Sequence, residues 1–297
     1  MKKHIQKLSF VVSALALISC GGNNNNDHSD MAMQDSTSAV KPDSSKNSEQ
    51  TVFYNFPSPI ETFTVLKASG ANYDKSLLNP VDKISKYVSS GSKAMNLGIY
   101  STDLSFSFLY KQNQEANLYI KNITELTSSL GIDGSYGQAV YKRLQTNENN
   151  LDSLMKIVSE ATVNTDLYLK ENQRASSTGL IAAAAWVESL HIIANIANKT
   201  QKEDVISLVA DQRITVVPLI KMLEQHSSDA DIAAILPDIK DIASVYESLK
   251  SVNVAAASVS TEKDIKSVGN NKSYPLSKEQ LKTILDKIEA LRTKLTN

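Results

Sequence analysis

From Val52 to the C-terminus, apolar residues recur every three or four positions, the period of helices that bury one face. Ala116, Tyr119, Ile120, Ile123, Leu126 and Leu130 form one such stripe. Leu151, Leu154, Met155, Val158 and Ala161 form a second, and Ile239, Ile242, Ala243, Tyr246 and Leu249 a third. The narrowest is Leu281, Ile284, Leu285, Ile288, Leu291 and Leu295.

Local signals set the boundaries. Ser58-Pro59-Ile60-Glu61 reads as a capping box with proline at the first helical position, and Gly70 is placed to end that helix. Asn79-Pro80 opens a second helix in the same way, with Gly91 as its stop. A long apolar helix is expected over about 94–109, and the stripe at 116–130 ends at Gly131. A short helix falls at about 136–144. Two helices are expected over 202–226, with Pro218 breaking or kinking them, and another starts near Pro237. Ser277 and Gln280 make a capping box for the last helix, and Leu276 can staple onto Leu281.

Short polar breaks between these helices favour antiparallel hairpins. The expected fold is therefore all-α, a multi-helix bundle, with a short curved helical array as the alternative. Val252 to Lys272 is the one long stretch without helical period. It is expected to be an irregular insertion, either a loop or a weak strand pair.

The first fifty residues have a different pattern. Lys2, Lys3 and Lys7 precede an apolar run from Leu8 to Ile18, and small residues lead to Cys20. This is the charged, apolar and small-residue order of a secretory signal. The run is too short to span a bilayer, which needs roughly 20 residues. Residues 21–50 are rich in Asn, Ser, Asp and Lys, lack aromatics, and read as a disordered linker. A flexible chain of that length has a reach of about 30 Å. The expected organisation is a leader over 1–20, a linker over 21–50 and one helical domain over 51–297.

Leu17-Ile18-Ser19-Cys20 resembles the lipobox of bacterial lipoproteins. The resemblance implies cleavage between Ser19 and Cys20, a diacylglyceryl group on the Cys20 thiol, and acylation of the new amino terminus. Gly21 stands where an aspartate signals inner-membrane retention under the enterobacterial sorting rule. By that resemblance the protein is expected in the cell envelope, on the outer membrane, with its periplasmic or surface face left open. Asp35-Ser36-Thr37 resembles the acceptor of extracytoplasmic O-glycosylation in Bacteroidota.

Cys20 is the only cysteine. No intramolecular disulfide, cysteine-based zinc site or cysteine nucleophile is then available to the folded part. The net charge is −1, and loss of the three leader lysines takes the mature chain to −4. With no basic stripe, nucleic acid is not an expected partner. The chain has no glycine-rich phosphate loop and no histidine-based zinc motif, and no cofactor is expected.

The central candidate is the apolar segment from Gly179 to Asn198. Its first half is rich in small residues, so neighbouring helices can approach closely, and Ala182 to Ala185 are expected against them. Glu188, His191, Asn195 and Asn198 fall on one stripe, expected to meet solvent or to line a cleft. Glu188-x-x-His191 has the spacing of carboxylate-bridged di-iron bundles, but a second such pair is missing, so no metal site is expected. Asp103 shares a face with Ile99, Tyr100 and Phe106. There it is either a structural carboxylate bonded to a tyrosine hydroxyl or helix amides, or a contact for ligand or catalysis. Tyr100 belongs to the same candidate group.

Two functions follow as expectations. One is a lipid-anchored helical binding or scaffold module without catalysis, its partner an unidentified protein, peptide or glycan. The other is an envelope hydrolase that uses carboxylates such as Asp103 and Glu188.

Overall fold

A computed structural model describes residues 59–132, 138–147, 150–253 and 272–297. Ser19 and Cys20, the 21–50 linker with Asp35-Ser36-Thr37, the Ser58 cap and the middle of the 252–272 segment lie outside the described residues.

The described chain is an all-α, multi-helix bundle. Its helices are α1 (Pro59–Ala68), α2 (Ser90–Leu109), α3 (Asn113–Ser129), α4 (Gln138–Thr146), α5 (Leu151–Glu171), α6 (Ala175–Thr200), α7 (Glu203–Glu224), α8 (Ala230–Glu247) and α9 (Lys278–Thr296). Two 3₁₀ turns, Lys75–Leu77 and Val81–Lys86, connect α1 to α2. Val252–Asn253 pairs antiparallel with Lys272–Ser273, so the ends of the irregular segment form the strand pair left open above.

The helix α6 is the axis of the bundle. It packs against α1, α2, α5, α7, α8 and α9. The last helix, α9, returns to touch α2, α6 and α8. A helical array, in which each repeat meets only its neighbours, would not show that return. By length and composition alone α6 could cross a bilayer. Here it runs through the core, with Leu190, Ile192, Ile193 and Ala194 fully buried.

The helices α2 and α6 cross at close range. A Cβ added at Gly98 would lie 2.2 Å from the Ile181 carbonyl oxygen. Only glycine permits this approach, and Thr102 Oγ1 adds a 3.4 Å hydrogen bond to the Ala185 carbonyl one turn on.

Several expected boundaries are corrected. Asn79-Pro80 leads into the 3₁₀ turn at Val81–Lys86 rather than a full helix. Gly91 does not end that element. It lies in the first turn of α2, whose cap is Ser89 accepting from the Ser92 amide. A side chain at Gly91 would collide with the Asp231 carboxylate. The stretch from Glu203 to Glu224 is one helix with Pro218 inside it, and α8 begins at the Asp229 cap with Pro237 in its interior. The reason is position. Each proline frees the carbonyl four residues earlier, and Ile214 and Ala233 both lie on exposed faces where water can serve it. The capping box of Ser277 and Gln280 is present in full.

Candidate functional site

The two faces of α6 have opposite chemistry. The face toward α9 and the first 3₁₀ turn carries Glu188 and His191. Glu188 is fully buried and accepts two hydrogen bonds from Arg292 of α9, Nε to Oε2 at 2.6 Å and Nη2 to Oε1 at 2.8 Å. Arg292 Nη2 also donates to the Leu77 carbonyl at 3.1 Å. That same oxygen lies 2.9 Å from His191 Nε2. His191 Nδ1 is 2.7 Å from Glu289 Oε1, which also accepts from Asn195 Nδ2 at 2.6 Å.

The expected solvent-facing or cleft-lining stripe is therefore corrected. Glu188 is 0% exposed and His191 5%, Asn195 is half-buried, and Asn198 near the end of α6 is exposed as expected. The reason is that α9 lays Glu289 and Arg292 over this face. Burial alone would favour neutral arginine, but the Glu188 charge and its hydrogen bonds outweigh that and raise the Arg292 pKa. Burial would likewise raise Glu289. The hydrogen bonds from His191 and Asn195 overcome it and hold that carboxyl below its usual range.

Asp103 of α2 joins this cluster. It is completely buried, and its Oδ2 accepts from the Asn79 amide at 3.1 Å. Burial pushes its pKa well up, and the neighbouring Glu188 charge pushes it further, against the pull of Arg292. With the Arg292 guanidinium already paired to Glu188, the neutral form of Asp103 fits the site. Its Oδ1 makes no hydrogen bond. Tyr100 is not bonded to Asp103. Its hydroxyl donates to the Pro80 carbonyl at 3.0 Å, and Tyr119 donates to the Asn79 carbonyl at 3.2 Å. These tyrosines fasten the loop before α2 to the core.

Two carboxylates thus converge, but in a sealed place. None of Tyr100, Asp103, Glu188, His191 or Asn195 lines either of the two main cavities among the described residues. Among the described residues, no group of three or more His, Cys, Asp or Glu side chains has the arrangement to hold a metal.

The other face of α6 lines a partly open cavity of about 760 Å³ between α1, α2, α5, α6 and α7. Its size follows from the residues. On α2, Gly98, Ser101 and Ser105 face it; on α6, Ala182, Ala185 and Ser189 do. These small side chains let α2 and α6 touch each other. They leave α5 little to interdigitate with, and Met155 and Val158 do not fill the space. Ala182 and Ala185 are accordingly only half-buried, whereas Ala183 and Ala184 are packed as expected.

Trp186 forms one wall, its Nε1 donating to Thr215 Oγ1 at 3.0 Å. Opposite, Asp166 of α5 accepts from Lys170 at 2.8 Å through Oδ2, while its Oδ1 has no partner. Glu61, Lys170 and Glu171 stand at the exposed rim.

Sequence reasoning misses Arg292, Glu289 and the cavity. Arg292 is within its reach, since it is a charge beside the stripe Ile288, Leu291 and Leu295, on a helix that must face the core. The small residues at 98, 101 and 105 and at 182, 185 and 189 repeat at helical spacing, but such a row serves close packing as readily as a void.

Compared with family models, with curated proteins and with solved structures, this chain finds no match.

Proposed function

We propose that this chain is a lipid-anchored protein of the cell envelope whose helical domain binds a small molecule and does not catalyse its conversion. The observation that carries the reading is the partly open 760 Å³ cavity between α1, α2, α5, α6 and α7. Protein interiors rarely keep voids much larger than a water molecule, and each unfilled volume loses dispersion contacts. A cavity in the range of ligand sites, roughly 300–1,000 Å³, with an apolar wall and a few convergent polar groups, has the character of a binding site. The anchor is the lipidated Cys20 implied by Leu17-Ile18-Ser19-Cys20, and the 21–50 segment supplies reach from the membrane.

The hydrolase alternative loses support from the geometry. The carboxylates it would use are neutralised by Arg292 and by burial, on the face of α6 away from the cavity.

The test is extraction. The protein is purified from envelopes without denaturation, and bound small molecules are identified by mass spectrometry. Ala182→Phe, which projects a ring into the cavity, serves as the comparison. A compound present with the wild type and missing from the folded variant is the expected result. Identical extracts from both would contradict the reading.

A further inference from the structure

We infer that the cavity takes an unbranched aliphatic chain, laid lengthwise between α5 and α6, whatever charge its head group carries; this rests on the cavity being a binding site. The shape comes from the lining. On α5 the lining runs from Met155 to Leu169, and on α6 from Thr178 to Ser189. At 1.5 Å per residue these runs are about 21 Å and about 16 Å long. Only residues 172–174 join the two helices, so they form an antiparallel hairpin and the runs lie side by side. A volume of about 760 Å³ spread over that length leaves a cross-section on the order of 40 Å², about 7 Å across, narrower than a helix with its side chains. Such a slot matches an extended chain better than a compact ring.

The walls suit hydrocarbon. Met155, Val158 and Val163 of α5 face it, as do Ile181, Ala182 and Ala185 of α6, and all six are only half-buried. Covering such apolar surface is favourable in proportion to its area. The hydroxyls of Thr102, Ser105, Thr162, Thr165 and Ser189 donate to carbonyls one turn back in their own helices, at 2.8–3.0 Å. Their protons are spent, so a methylene laid against them strands no donor.

The polar groups do not choose a head. Glu61, Lys170 and Glu171 stand at the exposed rim in both signs. Lys170 gives one N–H to Asp166 and keeps others, and the hydroxyls of Ser101 and Ser159 donate or accept. A cationic, neutral or anionic head left at the rim meets a partner there or stays hydrated.

Trp186 is the only tryptophan in the chain and lines the cavity, so its emission reports on this site. The probes are n-hexanol, n-heptanol and n-octanol, with n-octylammonium, n-octanoate and cyclooctanol, each titrated below any micelle-forming concentration. Each added methylene should lower the half-saturating concentration about fourfold. Octylammonium and octanoate should match n-octanol within about fivefold, the reach of an exposed ion pair. Cyclooctanol, with the same eight carbons in a ring, should bind at least about fourfold more weakly, the value of one methylene. Ala182→Phe should abolish every response. Protein incubated with phosphatidylcholine vesicles and then separated from them distinguishes the source of the chain. Phospholipid recovered with the wild type and not with Ala182→Phe identifies a membrane lipid, and none recovered identifies a free single-chain amphiphile.

Cyclooctanol as tight as n-octanol, or one affinity for all three chain lengths, would overturn the chain while leaving the cavity as a binding site. A preference for one head charge well beyond fivefold would overturn the indifference to the head. No response to any probe from folded protein would overturn both the chain and the binding site, as would equal responses from Ala182→Phe.

Discussion

Glu188 and Arg292, 104 residues apart in the chain, meet in two parallel hydrogen bonds of 2.6 and 2.8 Å inside the core, and this pair decides which way α6 faces. Breaking one member removes the bidentate partner of the other and leaves Arg292 only the weaker pull of Asp103 and Glu289. Glu188→Gln is expected to cost about 3–5 kcal/mol, the range for an unpaired buried charge. Glu188→Leu with Arg292→Met should cost less than the sum of the single changes, because no charge is left behind. Urea melts of the three variants check this. Single changes that are each nearly neutral would mean that the pair is not buried in solution.

Asp103 gives a pH signature. Its folded pKa is raised above the unfolded value of about 3.9, so the folded state holds the extra proton. The contribution to stability is full below the unfolded pKa and declines as pH rises through the folded pKa. An asparagine in place of Asp103 keeps an acceptor for the Asn79 amide and donates to Glu188 without titrating. Asp103→Asn should therefore flatten the fall in stability as pH rises above about 3.9 and leave the protein at least as stable at neutral pH. Glu289, whose pKa is lowered, acts in the opposite sense, and its contribution is lost at acid pH. Thermal melts across this range provide the check. A slope unchanged by the substitution would rule out a neutral Asp103.

At the crossing of α2 over α6 there is no room for a side chain at Gly98. Gly98→Ala places a methyl group 2.2 Å from the Ile181 oxygen, and backbone cannot swing aside as a side chain can. The cost should be at least about 1–3 kcal/mol, the range for overpacking. Ala183→Leu, on the fully buried side of α6, belongs in the same range. Ala182→Phe, one residue away but facing the cavity, should be tolerated. Equal melting temperatures for the Ala182 and Ala183 variants would show that the two positions do not differ in packing.

The helices are legible in the sequence where cap and period agree. Ser277, Gln280 and the stripe from Leu281 to Leu295 locate α9 within a residue. They are less legible where a helix stops without glycine. Lys111, Gln173 and Gln201 take left-handed φ values of 58°, 58° and 53° at the ends of α2, α5 and α6. At Lys111 the following Gln112 amide reaches back to the Ser107 carbonyl at 2.9 Å, which closes the helix as a glycine would. No composition signal marks such residues. Pro218 and Pro237 mislead in the opposite direction, because their freed carbonyls face water. The polar residues Glu188, His191 and Asn195 do share a side of α6, yet a row of Glu and His looks the same whether water or an arginine lies opposite. Only the placement of α9 decides between them.

The anchor has its own check. Cys20→Ala should leave precursor that is uncleaved or misprocessed and that takes up no acyl chains. Metabolic labelling with an alkyne fatty acid, compared between wild type and variant, reads this directly. Equal labelling would remove lipidation from the account.

The central claim is that binding belongs to the cavity face of α6 and not to the carboxylates on its other face. Isothermal titration calorimetry with n-octanol, an apolar probe with one hydroxyl, run on the wild type, Ala182→Phe and Asp103→Asn, separates the two faces in one measurement. The account predicts that Ala182→Phe loses the binding heat while Asp103→Asn keeps the wild-type affinity. Binding that survives Ala182→Phe and disappears with Asp103→Asn would contradict it.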